Sequence, residues 1–294
     1  MMIRSVLRFL SAIVFSAACM AGASAAVLSP ATLDFGGQHR TYLIEMPPGG
    51  GAKPLVIALH GKGGTGQQMA QETHLAPFGL QNGFVAVFPD ALAKQWNWAR
   101  PGQTPAGEVP RYNSVGGPPD DFGFLKALIA KYVQQGVVDP KRVYVVGFSN
   151  GGVMESRMIC DDAGQFAAAA IISSGMSVAL SQNCHPVTAM PILIEKGTAD
   201  DHVLYNGGYV LDHSFQTIST TQFVDFFKQL DGCSAAPATS QIAGAKKNTI
   251  DISDWQTCKG AEVDFYKVNG GVHTVYQVPP PAPTLWDFFK THTL

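Results

Sequence analysis

The run Val143-Tyr-Val-Val-Gly-Phe-Ser149-Asn-Gly-Gly152 constrains the fold more than any other stretch of the chain. A β-branched apolar segment leads without a break into Gly147-Phe-Ser149-Asn-Gly151, and the residues from Asn150 to Cys160 suit a helix. A strand that turns this abruptly into a helix needs glycines on both sides, because side chains there would collide with their surroundings. The serine at the apex is then held in a strained backbone conformation with its hydroxyl projecting outward. The G-x-S-x-G pattern alone recurs by chance. With a buried-type strand before it and a helix after it, Ser149 becomes the candidate nucleophile; the competing reading is a plain glycine-rich turn.

The rest of the chain alternates in the same way. Strands are expected at Thr41–Met46, Pro54–Leu59, Phe84–Phe88, Arg142–Gly147, Ala167–Ile172 and Pro191–Glu195, with later ones at Thr249–Trp255 and Glu262–Val268. Several are continuously apolar, as strands covered by helices on both faces are. Between them, Asp121–Gln135 places Phe122, Leu125, Leu128, Ile129, Tyr132 and Val133 on one helical face, and Phe223, Phe226, Phe227 and Leu230 repeat the pattern. The fold class is therefore α/β, with a mostly parallel central sheet, helices on both faces and right-handed crossovers. The Gly/Pro-rich stretch Arg100–Pro119 is read as a long functional loop rather than a boundary, and Pro279-Pro280-Pro281 as a stiff segment before the last helix.

Residues 1–26 have the form of a secretory leader. Arg4 and Arg8 supply the positive end, Phe9 to Met20 is apolar, and Ala23-Ser24-Ala25 suits cleavage. Ser16-Ala17-Ala18-Cys19 loosely resembles a lipidation box but lacks the usual leucine, so soluble export is the reading. A single catalytic domain over 27–294 is expected, with no polymer-binding module, which favours soluble or oligomeric substrates over a crystalline one. Without the leader the chain carries 18 basic and 22 acidic residues, a net −4, with no basic cluster. That balance argues against nucleic acid or an anionic membrane as partner. Cys160, Cys184, Cys233 and Cys258 remain, an even number that reads as two disulfides in an exported protein. Three pairings are possible, and neighbour pairing, Cys160 with Cys184 and Cys233 with Cys258, closes the shortest loops. No Cys or His spacing suggests a metal site.

A serine hydroxyl needs an adjacent base, and the base an orienting carboxylate. The downstream histidines are His185, His202, His213, His273 and His292. His273 stands out in Asn269-Gly-Gly-Val-His273, directly after a strand, with glycines that let the loop turn back towards the serine. His213 and His292 fall in stretches that read as helix or terminus with exposed side chains. For the acid, the strand at 191–195 ends in Gly197-Thr-Ala-Asp200-Asp201, and periodicity does not choose between the two aspartates. His60-Gly-Lys-Gly-Gly64 follows an early strand and can offer backbone N–H groups to a tetrahedral oxyanion, with the N–H of Asn150 as second donor. The same string lacks the G-x-x-x-x-G-K-[ST] spacing of a phosphate loop. The chemistry needs neither cofactor nor metal.

Taken in order, Leu59-His-Gly, Phe88-Pro-Asp, Trp96-Asn97, Asp120-Asp-Phe-Gly-Phe-Leu125, Gly147-Phe-Ser-Asn-Gly-Gly152, Gly197-Thr-Ala-Asp200 and Gly271-Val-His273 form a specific set. It resembles the polyhydroxybutyrate depolymerase/feruloyl esterase family of secreted α/β-hydrolases, over nearly all of the chain after the leader. The resemblance implies an α/β-hydrolase fold and a triad of Ser149, Asp200 and His273, with Asp200 rather than Asp201 as the acid. It also implies the Lys62 N–H as an oxyanion donor and supports the two neighbour disulfides. One departure is plain: where the family often has Gly-Gly-Gly-His-Thr-Trp-Pro-Gly, this chain reads Gly270-Gly-Val-His-Thr-Val-Tyr276. Substrate contacts on that side are not carried over.

Trp96 and Trp98 flank Asn97 in the loop after the strand ending at Phe88, and are read as aromatics that stack on a substrate ring; the alternative is that they pack the loop. Three functions are weighed. The first is a secreted serine esterase for feruloyl-type esters of plant polysaccharide or, alternatively, for hydroxyalkanoate polyesters. The second is a serine peptidase of the same fold, for which no peptide site is visible. The third is a catalytically dead binding protein, against which the intact Ser149, Asp200 and His273 speak.

Overall fold

The computed structural model describes residues 28–100, 118–256 and 258–294. The expected leader over 1–26 and nearly all of the 100–119 stretch lie outside them. In chain order the elements are β1 (Ser29–Phe35), β2 (Gln38–Glu45), β3 (Lys53–Leu59), α1 (Gly66–Thr73), α2 (Leu75–Asn82), β4 (Val85–Pro89) and α3 (Asp121–Gln134). They continue through β5 (Val138–Phe148), α4 (Asn150–Asp162), β6 (Ala168–Ile172), α5 (Val178–Ser181), β7 (Ile192–Gly197), β8 (Gly208–Tyr209), β9 (Gln216–Thr217) and α6 (Thr220–Leu230). The last are β10 (Ala238–Ala243), β11 (Thr249–Trp255), β12 (Val263–Asn269) and α7 (Pro281–Phe289).

The main sheet has the order β1-β2-β4-β3-β5-β6-β7-β12-β11-β10. Its centre, from β4 through β12, is parallel; β1, β2, β11 and β10 pair antiparallel at the two sides. Side chains alternate along each strand, which divides the core in two. Leu55, Ile57, Leu59, Val143 and Val145 face α3, α4 and α6, whereas Val56, Ala58, Tyr144 and Val146 face α1, α2 and α7. Both faces are covered, so the central strands read as unbroken apolar runs. This is the mostly parallel α/β sheet that the sequence predicts, and all eight expected strands are present within a few residues.

The strands absent from the sequence reading are edge or minor ones. β1 and β10 flank the sheet with largely exposed residues, and β8 and β9 have two residues each. An edge strand with an uncovered face carries no apolar run to betray it. Pro281 opens α7, where its missing N–H has no intrahelical partner to lose. Both neighbour disulfides are formed, Cys160–Cys184 and Cys233–Cys258. The first ties the end of α4 to the segment before β7. Among the described residues, no helix is long and apolar enough to cross a membrane.

Candidate active site

Ser149 sits between β5 and α4 with φ 53° and ψ −119°, a conformation that side chains rarely adopt. The flanking glycines have a measurable reason. A Cβ on Gly147 would lie 2.5 Å from the carbonyl oxygen of Gly151, and one on Gly151 would lie 2.3 Å from that of Leu59. The turn is braced from β6: the Ser149 N–H donates to Ile172 O at 3.1 Å, and the Ser174 hydroxyl donates to Ser149 O at 2.6 Å.

His273 lies on the loop after β12, reached through Gly270 at φ 71°. Its Nε2 is 2.9 Å from Ser149 Oγ, and its Nδ1 is 3.0 Å from each oxygen of Asp200. The loop is anchored at the end of β6, where Ser173 donates to Thr274 O at 2.7 Å. Gly197 lets it pass close to the acid strand, since a Cβ there would meet Gly271 O at 2.2 Å. Asp200 is 3% exposed and follows β7. Its Oδ1 accepts the N–H groups of His202 and Val203 at 3.0 and 2.9 Å, and its Oδ2 accepts the Lys196 ammonium at 2.7 Å. Burial alone would push this carboxyl up; the hydrogen bond from His273 and the charge of Lys196 outweigh it and hold it at about 2. Asp201 is exposed and binds His202 instead. His213 lies exposed in the turn between β8 and β9 rather than on a helix, and His292 is bound to Glu262.

Lys62 and Asn150, the two candidate oxyanion donors, both line the cleft beside Ser149. The turn that carries Lys62 is fixed by Gly63 N–H to Lys94 O at 2.8 Å and Gly64 N–H to Gly61 O at 3.0 Å. Neighbouring His60 accepts the Ala91 N–H on Nε2, which leaves Nδ1 to donate to Gly61 O at 2.7 Å. Burial lowers its pKa and keeps it a neutral brace.

The two tryptophans are not where a substrate could stack. Trp96 is fully buried at 0% exposure and Trp98 at 2%, and neither lines the cleft. The reason is the hydrogen bonding of the loop. Asp121 is buried with Arg40, 2.5 Å away, and its second oxygen accepts the Asn97 N–H at 2.7 Å, which draws the loop inward. Trp96 then donates its indole N–H to His60 O at 2.9 Å and its backbone N–H to the Asn150 side chain at 2.7 Å. It therefore joins the two segments that carry the candidate oxyanion donors. Trp98 packs behind the cleft wall against Phe215, with ring centroids 4.8 Å apart.

The cleft holds about 330 Å³ and is walled by Val153, Val203, Val210, Leu211 and Phe215. Lys62 forms an ion pair with Asp212 at its rim. His202, which the sequence reading left aside, lies in the cleft with its ring stacked on His273 at 4.5 Å. Asp200, His202 and His273 bring three donor atoms within 4.8 Å of one another. Yet both Asp200 oxygens are already engaged and an ammonium stands beside them, which suits an orienting carboxylate better than a metal ligand.

The model of the dienelactone hydrolase family matches residues 41–230. The chain belongs to that family. It is 28% identical over 266 residues to feruloyl esterase B of Piromyces equi, a match covering 87% of this chain but only 46% of that one. It is 23% identical over 241 residues to poly(3-hydroxyalkanoate) depolymerase C of Paucimonas lemoignei, covering 75% and 54% respectively. The chain thus spans about half the length of either relative. Among solved structures, acetyl xylan esterase from Aspergillus awamori superposes with a TM-score of 0.64 at 16% identity, covering 89% of this chain and 99% of that one. That likeness establishes the α/β-hydrolase fold.

Proposed function

We propose that this dienelactone hydrolase family member is an exported serine esterase, cleaving carboxylic esters through an acyl-enzyme on Ser149. One observation carries the reading: the hydrogen-bonded chain from Ser149 Oγ through His273 to Asp200, at 2.9 and 3.0 Å, opens into an apolar cleft. His273 takes the serine proton on Nε2 as Oγ attacks the ester carbonyl, while Asp200 holds the Nδ1–H and stabilises the imidazolium. The oxyanion receives the N–H groups of Lys62 and Asn150, each worth about 3–4 kcal/mol in the transition state. His273 then protonates the leaving alcohol, and water, activated by the same imidazole, releases the acid.

The acyl group we assign is bulky or aromatic, of the feruloyl type attached to plant polysaccharide. The apolar walls formed by Val153, Val210 and Phe215 support it, as does the likeness to a feruloyl esterase. Hydroxyalkanoate esters are the second reading, favoured by the likeness to a polyester depolymerase. The leader-like residues 1–26 and the two disulfides support export. Rates on methyl ferulate, a hydroxybutyrate oligomer and p-nitrophenyl acetate, measured side by side, decide between the substrates. Faster cleavage of the ferulate supports the assignment, and faster cleavage of the oligomer replaces it.

A further inference from the structure

Lys196, the penultimate residue of β7, follows Glu195 in a strand that opens on the apolar Ile192, Leu193 and Ile194, and its side chain is 1% exposed. Its ammonium donates to Asp200 Oδ2 at 2.7 Å and to Val203 O at 2.5 Å. Withdrawing an ammonium from water carries a large penalty, so a buried lysine persists only with a partner charge and full hydrogen bonding. Here that partner is the carboxylate on which His273 rests. The two backbone donors to Asp200 both reach Oδ1 and Lys196 holds Oδ2, while the imidazole Nδ1 stands 3.0 Å from each of the two oxygens.

We infer that Lys196 is a positioning residue for the proposed reaction. It pins Oδ2, one of the two Asp200 oxygens that face His273, and offsets part of that carboxylate's negative charge at the imidazole. Activity thereby extends to lower pH than an aspartate without such a partner would allow. The depressed carboxyl of Asp200 agrees with this. Burial lowers the pKa of Lys196, and the neighbouring carboxylate acts to keep the proton on it. The other charged groups around the pair are already matched. His202, stacked on His273, binds Asp201; Lys267, beside Lys196 in the register of β12, pairs with Asp251; Lys62 pairs with Asp212 across the cleft. Glu195, the neighbouring residue of β7, and Tyr276, whose hydroxyl donates to Val272 O, are pushed up by burial, Glu195 to about 8.

The inference rests on the triad reading. Lys196→Met keeps an unbranched side chain, one atom shorter, and removes its charge. We expect kcat to fall roughly tenfold to a hundredfold with little change in KM, as a misplaced base does. The acid limb of kcat/KM should rise by about one to two pH units, the size of a unit charge acting over roughly 6–10 Å at an effective dielectric near 20. In an Asp200→Asn background the same change should alter kcat by less than about twofold, because Lys196 acts through Asp200. An unmoved acid limb, or an undiminished loss in the Asp200→Asn background, overturns the inference. The wild-type enzyme supplies a test that does not depend on a variant folding: the 15N resonance of Lys196 Nζ must be that of an ammonium from pH 5 to 8, and a neutral amine there overturns it as well. Inactive Ser149→Ala with an unmoved acid limb in Lys196→Met removes this inference and leaves the triad; a fully active Ser149→Ala removes both.

Discussion

Trp96→Phe separates a brace from a substrate contact. The change deletes the indole N–H that reaches His60 O at 2.9 Å, in a site with 0% exposure. A buried carbonyl deprived of its donor costs about 1–3 kcal/mol. The smaller ring leaves space worth about 1 kcal/mol more. Together, about 2–4 kcal/mol should lower Tm by roughly 4–16 °C in a domain of this size. Because Trp96 also bonds Asn150 through its backbone N–H, loosening it displaces both candidate oxyanion donors. Turnover should fall roughly tenfold, less than the loss of a whole donor, and by the same factor on methyl ferulate and p-nitrophenyl acetate. Thermal unfolding and kcat/KM on the two esters give the answer. An unchanged Tm with a loss confined to the ferulate would return Trp96 to the substrate and refute the bracing role.

Three further outcomes are expected. Asp200→Asn should cut turnover by about 10⁴, as loss of the orienting carboxylate and the wrong imidazole tautomer do, whereas Asp201→Asn, at an exposed residue bound to His202, should cost little; steady-state rates of the two variants compare them. Removing either disulfide, for example through Cys160→Ala with Cys184→Ala, should lower stability by about 3.5 kcal/mol on the chain-entropy estimate for loops of 24 and 25 residues, read by denaturant unfolding. Glu195 is raised to about 8 by burial, so the folded state holds a proton that the unfolded chain has released. Stability from this group is full below about pH 4 and is lost as pH climbs through 8. Glu195→Gln should therefore raise Tm relative to wild type at pH 9 and change it little at pH 5, and equal shifts at both would refute the burial effect.

What was legible in the sequence was local. The elbow around Ser149, the loop after β7 with Asp200 and the loop after β12 with His273 each announce themselves as an apolar strand followed by glycine and a functional side chain. The geometry brings these three together. What the sequence hid depends on distant cover. The burial of Trp96 and Trp98 follows from Asp121, Arg40 and Asn150, which lie far from them along the chain. Periodicity could not choose between Asp200 and Asp201, because the choice lies in which carboxylate the backbone of 202–203 encloses. Lys196 did leave a signal, standing with Glu195 as two charged residue types directly after the apolar run 192–194. Its meaning needed the carboxylate four residues on to be seen folded back onto it.

A p-nitrophenyl phosphonate ester mimics the tetrahedral intermediate and reacts only with an activated nucleophile. Intact-mass measurement and peptide mapping of the inhibited protein should find one phosphonyl group, on Ser149, with activity lost in step with labelling and no label on Ser149→Ala. Full activity in Ser149→Ala, or a phosphonyl group on another residue while Ser149 stays free, would contradict an acyl-enzyme at this serine.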